Sequence, residues 1–199
     1  MVCGVRTRSL LQCGAVITWA VAIAILTPDG LGAQTLRFRL GPIDMHGGAV
    51  LASESEPGVA FGARVGLADV FRRALLVGVE LDWWTAQRDD MQLEVRDVVV
   101  GIAVWRELAS RGALRPFLGL GAAVHSVHAS GEDGSGFLQS REAAELDGYR
   151  LGASGFAGLS MSVSHTGAIW VLLEYCYAAV RRVPHHELRA GVRLLPSGL

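Results

Sequence analysis

The 199-residue sequence has no lysine, so all 18 of its Lys-or-Arg positions are arginine, and these nearly balance 19 acidic residues. A net charge of −1 without a basic patch excludes the electrostatic signature of a protein that binds nucleic acid. Of the three cysteines, only Cys176 lies beyond the first 33 residues. An intramolecular disulfide framework is therefore excluded in the rest of the chain.

The first 33 residues have the pattern of a secretory signal peptide. Two arginines precede an apolar run over 10–26, and small residues follow up to Ala33. We predict that 1–33 is removed on export and that 34–199 forms one domain. The alternative is an uncleaved membrane anchor, because this run lies at the lower edge of the length that spans a bilayer.

Beyond residue 33 we find no second apolar run long enough for a transmembrane helix, and the sequence instead alternates with a period of two. In the clearest stretch, 115–128, apolar Leu118, Leu120 and Val124 alternate with small or polar residues such as Gly119. Successive side chains of a strand point to opposite faces, so one face of this strand is apolar. The same pattern predicts eight strands, within 35–41, 60–67, 75–84, 92–104, 115–128, 151–163, 169–177 and 187–194.

Charged residues gather on the other faces of these predicted strands. Five arginines and four acids lie there among glycines: Arg37, Arg39, Arg64, Glu80, Asp82, Glu174, Glu187, Arg189 and Arg193. The lumen of an eight-stranded barrel is just wide enough for side chains, and glycines with opposed charges suit such a space. We therefore predict an all-β fold, an antiparallel eight-stranded transmembrane up-and-down β-barrel, with a charge network in its lumen.

The predicted connections differ in length between the two ends of such a barrel. The two longest loops, 44–58 and 129–148, share the outer end if the N-terminus lies in the periplasm. Trp83, Tyr149 and Tyr177 fall near that end and are predicted to form an aromatic girdle. We expect the two long loops to present the surface that an extracellular partner recognises.

The glycine-punctuated strands at 58–66, 115–121 and 186–193 resemble those of the small eight-stranded outer-membrane barrels, the OmpA-like and OmpX-like group of Gram-negative bacteria. The resemblance covers roughly 34–195. It implies a place in the outer membrane, contact with its lipid and lipopolysaccharide, and insertion by the barrel-insertion machinery. It also implies a structural or adhesive role without a cofactor or a catalytic site.

One group of residues suggests an enzyme instead. Outer-membrane lipid A deacylases are eight-stranded barrels with a His-x-Ser pair and a glutamate, and His128, Ser130 and Glu142 could act as base, nucleophile and orienting carboxylate. The surrounding sequence does not match that family, and the stretch 130–136 is typical of a loop. We keep a deacylase-like enzyme as an alternative.

The same pattern bears on two further classes of protein. A soluble, exported lipocalin-like barrel would place the apolar faces inside, around a ligand, and the charged faces in water. A porin would need more strands or an emptier lumen, and the rows of arginine and carboxylate argue against a continuous channel.

The histidines do not have the spacing of a metal site. In a strand, His125 and His128 point to opposite faces, and the adjacent His185 and His186 also point apart. We therefore predict no metal site and solvated histidines in loops or at the rim of the barrel.

Overall fold

A computed structural model describes residues 37–52, 55–70, 75–88, 93–108, 113–131 and 143–196, and the predicted signal peptide lies outside them. Among these residues, no helix is long and apolar enough to cross a membrane. One helical turn covers 143–146, and most other described residues lie in nine strands. The strands are β1 (Arg37–Phe38), β2 (Ile43–Ala52), β3 (Gly58–Val70), β4 (Leu75–Arg88), β5 (Leu93–Glu107), β6 (Leu114–Gly131), β7 (Gly148–Ser162), β8 (Ile169–Val180) and β9 (His185–Leu194).

Eight long strands close into a barrel. Each of β2 to β9 pairs antiparallel with its neighbours in chain order, and β2 also pairs with β9 along its whole length. The short β1 lies in line with β2 on the same side of β3, separated from it by a segment that ends at Pro42. Proline has no N–H to donate to the ladder, which explains why the first strand is interrupted there. The predicted eight-stranded antiparallel barrel is confirmed.

The pairing register tilts the strands around the barrel axis. A row of paired residues that leaves β7 at Tyr149 passes once around the barrel and returns to β7 ten residues further along, at Leu159. The row contains Tyr149, Ser126, Val98, Trp83, Phe61, Gly47, Ala190, Leu173 and Leu159. A stagger of ten residues over eight strands gives a tilt of about 40°. Inward side chains that meet in the lumen therefore come from very different positions along their strands.

The predictions for the first strand and the first long loop are wrong. The sequence pattern assigns a strand to 35–41 and a loop to 44–58, whereas β2 occupies most of that loop and leaves only 53–57 between β2 and β3. Outward Met45 and Leu51 do alternate with inward residues. The signal is obscured because Gly47 interrupts the apolar face and the inward residues are polar.

The second long loop is also shorter than predicted. The strand β6 continues to Gly131, the helical turn covers 143–146, and β7 begins at Gly148. The segment 132–142 lies outside the described residues. The barrel end that carries the β2–β3, β4–β5, β6–β7 and β8–β9 connections is called the loop end below, and the opposite end, which holds both ends of the barrel chain, the terminal end. Of the four connections at the loop end, only the one between β6 and β7 is therefore long.

The outer surface and the lumen have opposite character over most of the barrel height. Outward side chains form an exposed apolar belt, in which Val100 is 57% and Ile102 60% exposed. Other members of the belt are Met45, Phe61, Val79, Leu81, Val124, Leu159, Val171, Leu173, Leu188 and Val192. Inward side chains at the same height are charged and buried, with Arg64 only 1% exposed.

Near the loop end of β4, β5 and β6 the pattern is reversed, so that polar side chains point outward and apolar side chains point inward. Above Trp83 on β4, the outward positions become polar while the inward Trp84 is buried. Similarly, Arg96 faces outward on β5 and the neighbouring Val95 is buried inward. A second group of buried apolar residues, which includes Trp105, Phe117 and Phe156, lies among the charged side chains. The other group forms a cluster inside the loop end: Val50, Ala60, Trp84, Ala86, Leu93, Val95, Val99, Val127, Leu146 and Val183. This cluster is called the loop-end core.

Candidate functional site

The densest polar cluster in the described part of the lumen surrounds Arg189 on β9. Its guanidinium donates to Glu80 Oε1 at 2.8 Å, to Asp82 Oδ2 at 3.1 Å and to Glu174 Oε1 at 3.2 Å. Its Nε donates to Glu187 Oε2 at 2.9 Å. All five residues are buried. One cation is thus shared by carboxylates from β4, β8 and β9, which ties opposite walls of the barrel together.

A second guanidinium, that of Arg64 on β3, lies against the same carboxylates. It donates to both oxygens of Glu174 at 3.0 Å and to Glu80 Oε1 at 3.3 Å. Its Cζ also lies 4.0 Å from the ring centre of Phe156 and 5.6 Å from that of Trp105. A guanidinium between carboxylates and aromatic faces combines charge-assisted hydrogen bonds with cation–π contact. The polar and aromatic fillings of the lumen therefore form one packed unit.

The third buried guanidinium, that of Arg193, spans the junction between the first and last barrel strands. Asp44 and Arg193 are directly opposite in the β2–β9 register. Arg193 Nε and Nη2 donate to the two oxygens of Asp44 at 2.6 and 2.8 Å, and Nη1 donates to Glu107 Oε1 at 2.6 Å. Paired bonds of this kind fix orientation as well as distance. This ion pair holds β2 to β9 on the lumen side.

Three buried histidines each contact a buried carboxylate. His46 Nε2 lies 2.8 Å from Asp82 Oδ1, and His125 Nδ1 lies 2.7 Å from Asp97 Oδ2. His185 Nε2 lies 3.2 Å from Glu187 Oε1, and the ring packs on Trp84. The prediction of solvated histidines is wrong for these three, because their rings occupy inward positions of strands. The strands β2 and β9 extend beyond the predicted bounds to include His46 and His185, whereas His125 lies within the predicted strand 115–128.

His46, Glu80 and Asp82 bring potential metal-ligand atoms within 4.8 Å of one another. Both carboxylates are already bonded to Arg189, and Glu80 also to Arg64. A divalent cation at this position would have to displace two guanidinium groups. We therefore assign no metal to this cluster.

The structure places the nine charged residues of the predicted network in different surroundings. Seven of them meet in the lumen: Arg64, Glu80, Asp82, Glu174, Glu187, Arg189 and Arg193. Arg39 instead pairs with Asp69 at the terminal end, at 2.9 Å. The side chain of Arg37 lies outside the described part of the structure.

Sequence reasoning missed several partners of this network. The sequence pattern assigns Asp44 to a loop and ends the fourth predicted strand before Glu107, and it does not identify Asp97 as the partner of His125. A longer alternation would have placed Asp44 and Glu107 at inward positions of β2 and β5, whereas Asp97 already lies within the predicted strand 92–104. The pattern was cut short where polar residues began.

Glycines on the lumen face provide the room that these side chains occupy. A Cβ added at Gly62 would collide with the bonded pair of Asp82 and His46, and one at Gly119 would collide with the ring of Phe156. Small residues are thus required opposite the largest polar and aromatic groups. This explains why glycine alternates with charge along β3 and with apolar residues along β6.

The residues of the alternative catalytic group lie on the outer surface of the loop end. His128 Nδ1 is 3.0 Å from Asp147 Oδ1, and both side chains are exposed. Ser130 is two residues further along the same outward face of β6 and is also exposed. Glu142 lies outside the described residues. The described part therefore shows a histidine beside a carboxylate, with Asp147 in the position expected for Glu142.

Comparisons with known proteins support the fold. No family model and no curated protein matches the chain. Among solved structures, the chain is similar to Neisserial surface protein A, with a TM-score of 0.51 and 15% identity over 83% of this chain and 100% of that one. It is also similar to the N-terminal β-barrel domain of Pseudomonas aeruginosa OprF, with a TM-score of 0.50 and 13% identity over 78% of this chain and 98% of that one.

The geometry and these similarities define the class of fold: a closed, eight-stranded, antiparallel β-barrel of the outer-membrane type. Both neighbours are outer-membrane barrels of the same strand number. At 13–15% identity the similarity concerns the fold alone.

Proposed function

We propose that this protein is an outer-membrane barrel of structural or surface-interaction type, exported by residues 1–33. The observation that carries the proposal is the placement of apolar and charged side chains. Ile102 and its neighbours on the belt are exposed, whereas Arg64 and Arg189 are buried inside. In water this arrangement would leave a wide apolar surface solvated, but hydrocarbon around the barrel makes it favourable. A soluble lipocalin-like barrel requires the reverse.

The closed backbone supports the same placement. Every barrel strand is paired on both sides, so the barrel has no open edge that would leave N–H and C=O groups unpaired in lipid. Outer-membrane lipid and lipopolysaccharide are therefore the proposed surroundings, and the barrel-insertion machinery is the proposed assembly partner.

The lumen is proposed to be closed to ions. Guanidinium groups of Arg64, Arg189 and Arg193 lie across the interior, each bonded to two or more carboxylates. An ion in transit would have to separate these pairs in a space only wide enough for side chains. The network is thus an internal brace, and the surface for partners lies at the loop end.

Cell fractionation followed by gel mobility tests this proposal. We expect recovery in the outer membrane and a detergent-extracted band whose migration changes on boiling, as a folded barrel's does. Recovery in the soluble periplasmic fraction would contradict the proposal and favour a ligand-binding barrel. Planar bilayers containing the purified protein should show no stable conductance steps.

The absence of catalysis is tested on the lipid itself. We expect lipid A extracted from expressing cells to have the same number of acyl chains as lipid A from cells without the protein. Loss of one acyl chain, restored by His128→Ala, would instead support the deacylase-like alternative. The variant His186→Ala serves as a control, because it removes another outward histidine at the loop end, on β9, where it contacts Tyr175.

A further inference from the structure

Three arginines line a shallow cleft at the loop end, outside the lumen network. Arg150 comes from the start of β7, and Arg181 and Arg182 form the turn between β8 and β9. Glu145, Tyr149 and Leu151 complete its lining. Nothing in the closure of the barrel requires this concentration of positive charge on its rim.

Two of the arginines are held in place by the helical turn. Arg150 Nη2 donates to the carbonyl oxygens of Glu145 and Leu146 at 2.8 and 2.7 Å, and its Nη1 donates to the carbonyl of Arg181 at 3.1 Å. Arg182 Nη1 donates to Glu145 Oε2 at 3.0 Å. These bonds join the helical turn to the β8–β9 turn, so the cleft is a preformed feature.

The backbone at Arg182 is in the left-handed region, with φ of 71°. Glycine or asparagine is favoured at such a turn position, and a side chain of this size adopts it at a cost. Arginine nevertheless occupies it and directs its guanidinium to the cleft. A left-handed backbone at Arg182 is therefore compatible with a functional role of its guanidinium in the cleft.

The cleft has more cationic than anionic groups. Among the described residues that line the cleft, three guanidinium groups face one carboxylate, that of Glu145. The carboxylates of Asp97 and Asp147 also act electrostatically on Arg150. The side chain of Arg181 is exposed and has no hydrogen-bond partner among the described residues. Planar guanidinium groups bind phosphate oxygens through paired hydrogen bonds. A phosphate group is therefore the anion that best suits this cluster.

Apolar surface adjoins the charges. Tyr149 is 82% and Leu151 81% exposed, and both point outward at the upper edge of the belt. A soluble polyanion would leave Leu151 in water, whereas a lipid would cover it with hydrocarbon beneath a charged headgroup. Tyrosine is enriched at the level where headgroups begin. The adjacency of apolar and cationic groups favours a lipid over a free anion.

We infer that this cleft binds the phosphate-bearing headgroup of a lipid in the surrounding leaflet, with Arg181 and Arg182 as direct ligands. Arg150 is a positioning residue, because its guanidinium is already bonded to three carbonyl oxygens. The inference rests on the proposed membrane location. It adds a binding site outside the lumen, whose described part is filled by the charged side chains around Arg189.

Native mass spectrometry of the full chain in nanodiscs of digalactosyldiacylglycerol, a lipid without phosphate, tests the site. The probe is bisphosphorylated lipid A, titrated into the discs, with its enzymatically dephosphorylated form as the comparison. We expect wild-type protein to retain the phosphorylated lipid preferentially. Affinity should fall about fivefold for Arg181→Gln and again for Arg182→Gly, since each basic residue near an anionic surface contributes about that factor.

The variants separate binding from folding. Arg182→Gly suits the left-handed backbone, and both variants leave the lumen network intact. The control Arg96→Gln removes an exposed arginine two strands away on β5 and should bind lipid A as wild type does. Equal retention of phosphorylated and dephosphorylated lipid, or full retention by the double variant, would overturn the inference.

Two further results distinguish an error in the proposed membrane location from an error in the assignment of the cleft. Wild-type protein that does not enter nanodiscs would refute the proposed membrane location, whereas an inserted, heat-modifiable barrel without lipid preference refutes only the cleft. The variant Leu151→Ser should weaken lipid A binding. If it binds lipid A unchanged while a soluble polysulfated sugar binds wild-type protein as tightly, the ligand is a soluble polyanion and the lipid assignment is wrong.

Discussion

Different kinds of side chain fill the two halves of the lumen, the half towards the terminal end and the half towards the loop end. Towards the terminal end, Arg64, Arg189 and Arg193 fill the space together with carboxylates and aromatic rings. Towards the loop end, the core around Trp84 and Leu93 is apolar and is capped by side chains from the connections. Charge braces the first half, and hydrophobic burial holds the second.

The difference between the halves follows from what surrounds each of them. Around the charged half the outer surface is apolar and, in the proposed membrane, faces hydrocarbon, so an apolar side chain gains little by pointing inward. The aromatic rings that do lie inside pack against the guanidinium groups of Arg64 and Arg193. Around the apolar half, the outward positions of β4, β5 and β6 carry polar groups such as Arg96 and His128. There the solvent is water, and burying apolar side chains inside the barrel is favourable. In the proposed membrane location, this change from an apolar to a polar outer surface marks the height at which β4 to β6 leave the hydrocarbon.

Removal of the central cation should have the largest effect. Arg189→Leu leaves Glu80, Asp82, Glu174 and Glu187 without their shared partner, and we expect a loss of about 3–5 kcal/mol of unfolding free energy. The urea midpoint of the heat-modifiable gel band measures it.

A matched control checks that the loss comes from burial. Arg96→Leu breaks an exposed ion pair with Glu94 and should leave the urea midpoint nearly unchanged, because solvent screens such a pair. Arg193→Leu should shift the midpoint in the same direction as Arg189→Leu. Equal midpoints for Arg189→Leu and Arg96→Leu would show that the lumen charges do not stabilise the barrel.

A cavity in the loop-end core should destabilise only the half of the barrel towards the loop end. Leu93 is fully buried there, and Leu93→Ala should cost about 2–5 kcal/mol locally. Hydrogen exchange should become faster for amides at the loop ends of β4 and β5 while those beside Arg64 stay protected. The variant Leu81→Ala removes the same atoms from the outer belt and should leave loop-end exchange unchanged. Uniformly faster exchange would mean that the two halves unfold as one unit.

Single arginine substitutions on the outer surface can locate the height at which that surface changes from apolar to polar. Val100→Arg places a guanidinium in the middle of the belt, at an expected cost of about 2–4 kcal/mol. Gln87→Arg, at an outward position near the loop end of β4, should cost about 0–1 kcal/mol. Refolding yield and urea midpoint in lipid vesicles measure both, and similar values would place Val100 outside the hydrocarbon.

The sequence predicted seven of the eight long strands because an apolar belt requires strict alternation. Leu118, Leu120 and Val124 keep one parity through the whole belt, and that regularity is visible without a structure. The first strand was misassigned for the opposite reason. Gly47 weakens its apolar face, and Asp44 and His46 face a charged lumen that only the closed barrel supplies.

The apolar core of the loop end could not be predicted in the same way. The change occurs at adjacent residues, as in Trp83 and Trp84, where one ring is on the outer surface and the next is buried. A period of two cannot show which face meets lipid and which meets water. The cleft was missed because Arg150 and Arg181, which a hydrogen bond joins, are 31 positions apart in the sequence.

The ion pair between Asp44 and Arg193 has a consequence for the order of folding. The two residues are 149 positions apart and meet only where the first strand joins the last. Every other neighbouring pair of strands is joined by a short segment of chain, whereas this junction needs both ends of the domain at once. We expect Asp44→Asn to accelerate unfolding far more than it slows folding, because a contact formed after the rate-limiting step acts only on the return path. The ion pair between Asp44 and Arg193 is then the last of these contacts to form during folding and the first to break during unfolding.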